Sequence, residues 1–434
     1  MTPIEVGILG IIGLLVLLML RVPVGISMIV VAVSGQMILT DFSRAFSWLG
    51  IQSVALTQNY GLSVIPLFVL MGMFLSKAEL GGALFEVINY FARRFKGGMA
   101  VGTIGTSAAF AAVCGSVVAS VSTLATVAVP EMEKHKYDRG FAAGVASVGS
   151  AMGVVIPPSS ALVIYGILTE ESIGQVLIGG IIPGILTAIL LMLTVPIVLK
   201  WRPKLAPEKA KDKAPFPKEK LKLVWAVPFI FLVCIGGIYG GFFTPVEAGS
   251  VGAFASLIFA FAVRKMNLKS FLESLKAAVR ISSMTFLILI GGALFGAFLV
   301  WSTIPRELTM WVQGIDAPAF LIVIVILLIY TAMGPLMDEM ATLVIMTPIM
   351  YPVVVGLGFS GIWFGVMSIM MLISGLVTPP VGIVSLVAAS VTKVPAIEVF
   401  KYQWPFWVAM LVACVLMVAF PAIITILPSI AYAK

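Results

Sequence analysis

The sequence predicts an all-α polytopic membrane protein made of two inverted repeats. Each repeat holds about five transmembrane crossings and one re-entrant helical hairpin. Three observations predict this. The 434-residue chain is 61% hydrophobic and only 11% charged, the composition of a chain with many apolar spans. A Pro-Pro interruption falls inside a long apolar segment twice, as Gly153-Val154-Val155-Ile156-Pro157-Pro158-Ser159-Ser160 and as Gly375-Leu376-Val377-Thr378-Pro379-Pro380-Val381-Gly382. Adding 222 carries Pro157 and Pro158 onto Pro379 and Pro380, Gly153 onto Gly375, and also Pro23, Pro130 and Pro183 onto Pro245, Pro352 and Pro405. Five of the ten prolines before residue 212 therefore find a proline partner, which marks an internal duplication.

The interruptions carry the functional expectation. Proline has no N–H and blocks helix continuation. The carbonyls four residues earlier, on Gly153 and Val154 and on Gly375 and Leu376, lose their helical donors. Inside a bilayer a freed carbonyl persists only where protein, water or an ion satisfies it. Two such breaks in corresponding halves point to a transporter's binding region.

Other classes fit poorly. The single histidine, His135, lies in the charged stretch Glu131–Arg139, which leaves no His-based catalytic or metal cluster. Cys114, Cys234 and Cys414 are far apart in apolar surroundings and have neither ligand nor disulfide spacing. The net charge is +8, of which +6 falls in Lys200–Lys222, with nine Lys/Arg against three Asp/Glu. That concentration is the mark of a cytoplasmic topogenic loop and not of a nucleic-acid site.

In chain order, the first repeat is residues 1–198. Ile8–Leu20 has the length of a signal-peptide core, but no basic run precedes it and many similar segments follow, so it belongs to the first span. Apolar spans near 5–20 and 22–40 precede a mixed loop over 41–59 and a span over 61–76. Residues 77–99 alternate charged and aromatic side chains, the pattern of an amphipathic interfacial helix. Residues 100–130 are flanked on both sides by basic residues, so a hairpin, not a crossing, keeps both flanks on the cytoplasmic side. Arms of about 14 residues, roughly 20 Å, fall short of the ~30 Å hydrocarbon core. The broken helix over 141–166 crosses out and 175–198 returns. Residues 199–222 form a basic cytoplasmic linker. The second repeat, 223–434, has spans near 225–241 and 247–263, a basic amphipathic stretch over 264–280, and a span over 281–303. An interfacial helix over 304–316, a hairpin over 317–351, a broken helix over 362–390 and a last span over 405–427 follow. An odd number of crossings per repeat puts the second repeat upside down, with both termini periplasmic and the hairpins opening to opposite sides, the arithmetic of alternating access.

Hairpin tips expose helix ends whose N–H groups suit an anion. Freed carbonyls and C-terminal ends suit a small hard cation such as Na⁺. Ser116, Ser120, Ser159, Ser160 and Thr378 add hydroxyls without burying charge. One polar cavity among hairpins and breaks holds an organic anion with sodium. Asp338 and Glu339 are an acidic pair at membrane depth. Either one of them, Asp338 first, faces the cavity to order the site or bind a cation, or the pair lies in a wet external turn. Intramembrane titratable groups are few, so Na⁺ is favoured over a proton. Arg21 is a candidate for the substrate, and interfacial snorkelling is the competing explanation.

Four stretches together resemble a known family. They are Gly115-Ser116 within the run to Pro130-Glu131-Met132, Ile156-Pro157-Pro158-Ser159 with Gly179–Leu186, Phe243-Thr244-Pro245-Val246-Glu247-Ala248, and the Gly334, Asp338, Pro348 and Pro352 pattern. Over essentially the whole chain they resemble the large membrane subunit of tripartite ATP-independent periplasmic (TRAP) transporters, within the ion-transporter superfamily. The resemblance implies an elevator-type secondary transporter in the bacterial inner membrane that imports organic acids such as dicarboxylates, sialic acid or sugar acids with Na⁺. It implies a small four-helix membrane subunit and a periplasmic substrate-binding protein as partners. Carried over by motif, one sodium site uses Gly115, Ser116, Gly153, Ile156 and Pro157, and the second uses Gly334, Gly375 and Thr378. Ser120, Ser159, Ser160, Asp338 and Arg21 are the substrate candidates. The chain departs from the family where Asp338-Glu339 replaces a common Asp-Pro and where Cys114 and Val117 flank the first tip. A stand-alone Na⁺/dicarboxylate carrier of the same superfamily is the first alternative. A membrane-embedded hydrolase, for which no catalytic set is evident, is the second.

Overall fold

The computed structural model describes residues 1–92, 94–114, 117–207, 217–379 and 382–432. All regular structure among them is helical. The first half runs α1 (Pro3–Met19), α2 (Val24–Leu39), α3 (Phe42–Thr57), α4 (Val64–Lys77) and α5 (Leu80–Ala92). It continues with α6 (Gly98–Cys114), α7 (Val117–Lys134), α8 (Arg139–Ala151), α9 (Ser160–Thr169), α10 (Ile173–Gly179) and α11 (Ile181–Trp201). The second half runs α12 (Lys218–Val224), α13 (Ala226–Tyr239), α14 (Pro245–Ala262), α15 (Leu268–Trp301), α16 (Ile304–Gln313) and α17 (Ala319–Met333). It ends with α18 (Glu339–Gly356), α19 (Gly361–Leu376), α20 (Ile383–Thr392), α21 (Ala396–Ala419) and α22 (Ala422–Tyr432). Seven stretches among the described residues are long and apolar enough to cross a membrane. Among the shorter apolar helices, α9, α19 and α20 flank the two Pro-Pro breaks.

The 222-residue shift carries α7 onto α18 residue for residue, and α2, α6, α8 and α9 onto α14, α17, α19 and α20 within a few residues. Packing exchanges between the halves. Helix α2 lies on α15, and α14 lies on α4. The α2–α15 crossing is made by glycine. A Cβ on Gly25 would come within 2.7 Å of the Leu287 carbonyl oxygen, and one on Gly291 within 2.5 Å of the Gly25 carbonyl oxygen. In lipid, where apolar surface alone drives no association, such backbone approach is what holds helices together.

Three expectations are corrected. Residues 41–59 are not a loop. Asp41 caps α3 by accepting from the Arg44 N–H at 2.9 Å, and the polar residues that lowered its hydropathy mark an amphipathic helix. Within 77–99, α5 is an amphipathic helix that buries Leu80, Leu84, Phe85 and Val87 and packs on α6. Within 264–303 the basic stretch and the span are one 34-residue helix, α15 (Leu268–Trp301), since no Gly or Pro interrupts the junction at Arg280-Ile281. The final span is two helices, α21 and α22, divided at Phe420-Pro421. The hairpin arms are also longer than expected, 17 and 18 residues in the first and 15 and 18 in the second. The last turn of α7 carries Glu131, Glu133 and Lys134, which places that end outside the apolar layer.

Candidate functional site

The breaks form as the prolines require. Helix α8 ends in one 3-10 turn, Met152–Val154, and α9 starts afresh at Ser160 with Ser159 as its cap. Ser159 Oγ accepts from the Leu162 N–H at 3.2 Å and donates to the Val154 carbonyl. Helix α19 ends at Leu376. Thr378 then donates both its N–H, at 3.0 Å, and its Oγ1–H, at 2.7 Å, to the Gly375 carbonyl. Two of the four carbonyls expected to be free are therefore held by hydroxyls of their own break. In a poorly solvated site the nearest hydroxyl takes the orphaned acceptor. The hydroxyl oxygens keep lone pairs, so Thr378 Oγ1 beside a carbonyl is a donor set that a hard cation uses.

The two broken helices run antiparallel. Arg139, at the start of α8, donates to the Thr392 carbonyl at the end of α20 at 2.7 Å. At the other end, Tyr165 of α9 donates to the Gly361 carbonyl at the start of α19 at 2.7 Å. The Tyr351 hydroxyl on α18 donates to Glu171 Oε1 in the same region at 2.8 Å. The first hairpin opens at the α8 start, where the Met99 N–H reaches the Tyr137 hydroxyl at 3.4 Å. The second opens at the α19 start, where Gln313 Nε2 donates to the Gly356 carbonyl at 3.0 Å beside α18. The hairpins thus enter from opposite ends.

The second tip is set against its break by residues without side chains. A Cβ on Gly334 would lie 2.7 Å from the Leu372 carbonyl oxygen and 2.8 Å from Gly375 Cα. Gly334, Gly375 and Thr378, the expected second set, are therefore brought together. Near the first tip, a Cβ on Gly149 of α8 would lie 2.8 Å from Ser107 Cβ, and α6 rests on the turn at Gly153. Ile156 packs on Gly184, whose Cβ would come within 3.5 Å of Ile156 Cα. Gly115 and Ser116, like Pro380, lie outside the described residues.

The substrate candidates separate. Ser120 is fully buried and its Oγ has no hydrogen-bond partner. Its equivalent on the second hairpin, Thr342, is likewise buried and unpartnered. Buried hydroxyls are normally bonded, so this pair, one turn into α7 and α18, is a candidate ligand-facing feature. Ser159 and Ser160 are buried at the start of α9. Asp338 is exposed and caps α18, accepting from the Met340 N–H at 3.2 Å, while Glu339 in the first turn is the buried member of the pair. An Asp directly ahead of a helix is a cap signal readable in the sequence. Arg21 is exposed in a left-handed turn between α1 and α2, elements that pack with α15 and α16 and not with either break.

Sequence reasoning passed over one buried polar group. Gln403 of α21 accepts from the Ser385 hydroxyl of α20 at 2.6 Å and donates to the Ser147 hydroxyl of α8. Polar residues interrupting apolar segments at 147, 385 and 403 were the available signal.

The comparisons agree with this geometry. Residues 11–423 match the family model described as "Tripartite ATP-independent periplasmic transporter, DctM component". The C4-dicarboxylate TRAP transporter large permease protein of Rhodobacter capsulatus is 31% identical, over 96% of this chain and 98% of that one. The sialic acid TRAP transporter large permease protein of Vibrio cholerae is 29% identical, over 97% and 98%. The isethionate TRAP transporter permease protein of Oleidesulfovibrio alaskensis is 31% identical over 84% of this chain, which spans only 58% of that longer protein. Among solved structures, the YdaH transporter of Alcanivorax borkumensis matches with a TM-score of 0.66 at 13% identity, covering 88% of this chain and 89% of that one. MtrF of Neisseria gonorrhoeae matches with a TM-score of 0.65 at 14% identity, over 87% and 84%. At those identities the two share the fold. The chain belongs to the DctM family, the large permease component of tripartite ATP-independent periplasmic transporters.

Proposed function

We propose that this chain carries an organic acid across the bacterial inner membrane with sodium, by an elevator movement. A small four-helix membrane subunit supports it, and a periplasmic binding protein delivers the load. Both termini face the periplasm. The hairpins and broken helices α6–α9 and α17–α20 form the moving body, while α2, α4, α14 and α15 form the support. The observation that carries this reading is the antiparallel pair of breaks with Gly334 seated on Gly375 beside the Thr378 hydroxyl. Hard cations take oxygen ligands from carbonyls and hydroxyls, and a co-bound cation offsets the cost of moving a carboxylate through lipid. The relatives named for C4-dicarboxylates, sialic acid and isethionate share one substrate feature, a small organic anion.

The test is sodium activation of uptake by the reconstituted complex. Thr378→Ala removes one proposed oxygen and leaves the Gly375 carbonyl. Half-maximal uptake is expected to need about tenfold more sodium, the equivalent of about 1.4 kcal/mol. Ser116→Ala is expected to shift activation in the same direction. Wild-type activation curves in both variants would reject these two sites.

A further inference from the structure

The Ser147–Gln403–Ser385 group ties α8 to α20 across the two breaks. Ser147 lies in α8, six positions before Gly153. Ser385 lies in the first turn of α20, just past the second break. Gln403, 1% exposed, joins them with one amide, and both serines are fully buried. The 222 shift maps the three onto Ile369, Val163 and Ile181. Ile369 and Val163 are equally buried but offer only dispersion contacts. Beside the breaks, the α8–α20 side is therefore held by an amide between two hydroxyls, while the α9–α19 side has its directional bond at the far helix end, from the Tyr165 hydroxyl to the Gly361 carbonyl.

We propose that Gln403 is a positioning residue that fixes the spacing of the two breaks, so that a cation bound at one favours a cation at the other. The inference rests on the sodium reading above. An amide locked between two buried hydroxyls resists sliding of α20 along α8, because any shift strands polar atoms in an apolar interior. On the mirrored side the bond from Tyr165 to the Gly361 carbonyl lies at the start of α19, away from the second break. Movement of one break is thus transmitted to the other through Gln403, the kind of two-site linkage that gives a coupling free energy.

The experiment compares the wild-type complex in liposomes with two variants. Gln403→Leu strands both hydroxyls. The triple variant Ser147→Ala, Ser385→Ala, Gln403→Leu removes every member and leaves nothing unsatisfied, so its thermal stability is expected to return close to wild type. A positioning role requires that the triple variant still lose sodium cooperativity. Its Hill coefficient for sodium is expected to fall toward one, and half-maximal sodium to rise at least about fivefold, with maximal rate changed less. Hydrogen exchange over 383–390 is expected to rise in both variants and to stay unchanged over 160–166. That arm reads the tie without sodium transport, so a wild type lacking sodium dependence would overturn the sodium reading while the exchange result still judges the tie. A triple variant with wild-type cooperativity and wild-type exchange would overturn the proposal and leave the group a packing feature.

Discussion

Gly375→Ala is expected to abolish uptake by a complex that still assembles. The new methyl would be directed at the Thr331 carbonyl and would sit 3.0 Å from Gly334 Cα. Both neighbours are backbone, so no side chain can turn away, and the tip of the second hairpin must back off from α19. Overpacking of this kind costs about 1–3 kcal/mol, which a large membrane protein survives. The functional cost is greater, because ligand oxygens around a metal ion tolerate displacements of only about 0.2 Å. Uptake in liposomes is expected to fall by more than about tenfold, equivalent to at least ~1.4 kcal/mol. Gly334→Ala is expected to behave alike. Gly236→Ala is the control: a Cβ there meets nothing within 4 Å, and uptake should be unaffected. Normal uptake by Gly375→Ala would show that the close approach of tip and break is not needed.

Gly291→Ala is expected to fail at an earlier stage, in the support. Its Cβ would lie 2.5 Å from the Gly25 carbonyl oxygen, again backbone against backbone. Helix α15 has glycines on two faces. Gly291 meets α2, while Gly292 and Gly296 meet Val344 and Pro348 of α18. A methyl at 291 therefore separates α2 from α15 without touching the hairpin. The expected result is a loss of about 1–3 kcal/mol, read as lower yield of folded protein and a lower melting temperature in detergent. Gly296→Ala, whose nearest neighbours are Pro348 ring atoms at 3.1 Å, is expected to be milder. Equal stability of both glycine variants with wild type would contradict the packing described.

These two variants also mark what the sequence makes legible. The breaks, hairpins and duplication are local or periodic, and proline spacing carries them. The glycine contacts are not legible, because nothing local says that Gly334 meets Gly375 or that Gly25 meets Gly291. The same holds for Ser147 and Gln403, 256 positions apart. One further role is readable locally: Asp338 stands immediately before a helix and acts as its cap. The expectation of a loop over 41–59 fails because hydropathy averages over α3, a helix that is apolar on one face only.

Family membership supplies the transporter and its tripartite nature. It leaves the hydrolase reading without support, and His135, whose Nδ1 lies 3.0 Å from the Glu131 carbonyl at the end of α7, has a structural role. The central claim is that two antiparallel breaks supply the oxygens for a sodium ion that drives the load. It is tested most directly by loading vesicles containing the complete complex, imposing an inward sodium gradient, and then replacing that sodium with potassium at equal ionic strength and membrane potential. Uphill uptake with sodium and none with potassium is the predicted result. Equal accumulation in both salts would contradict the account.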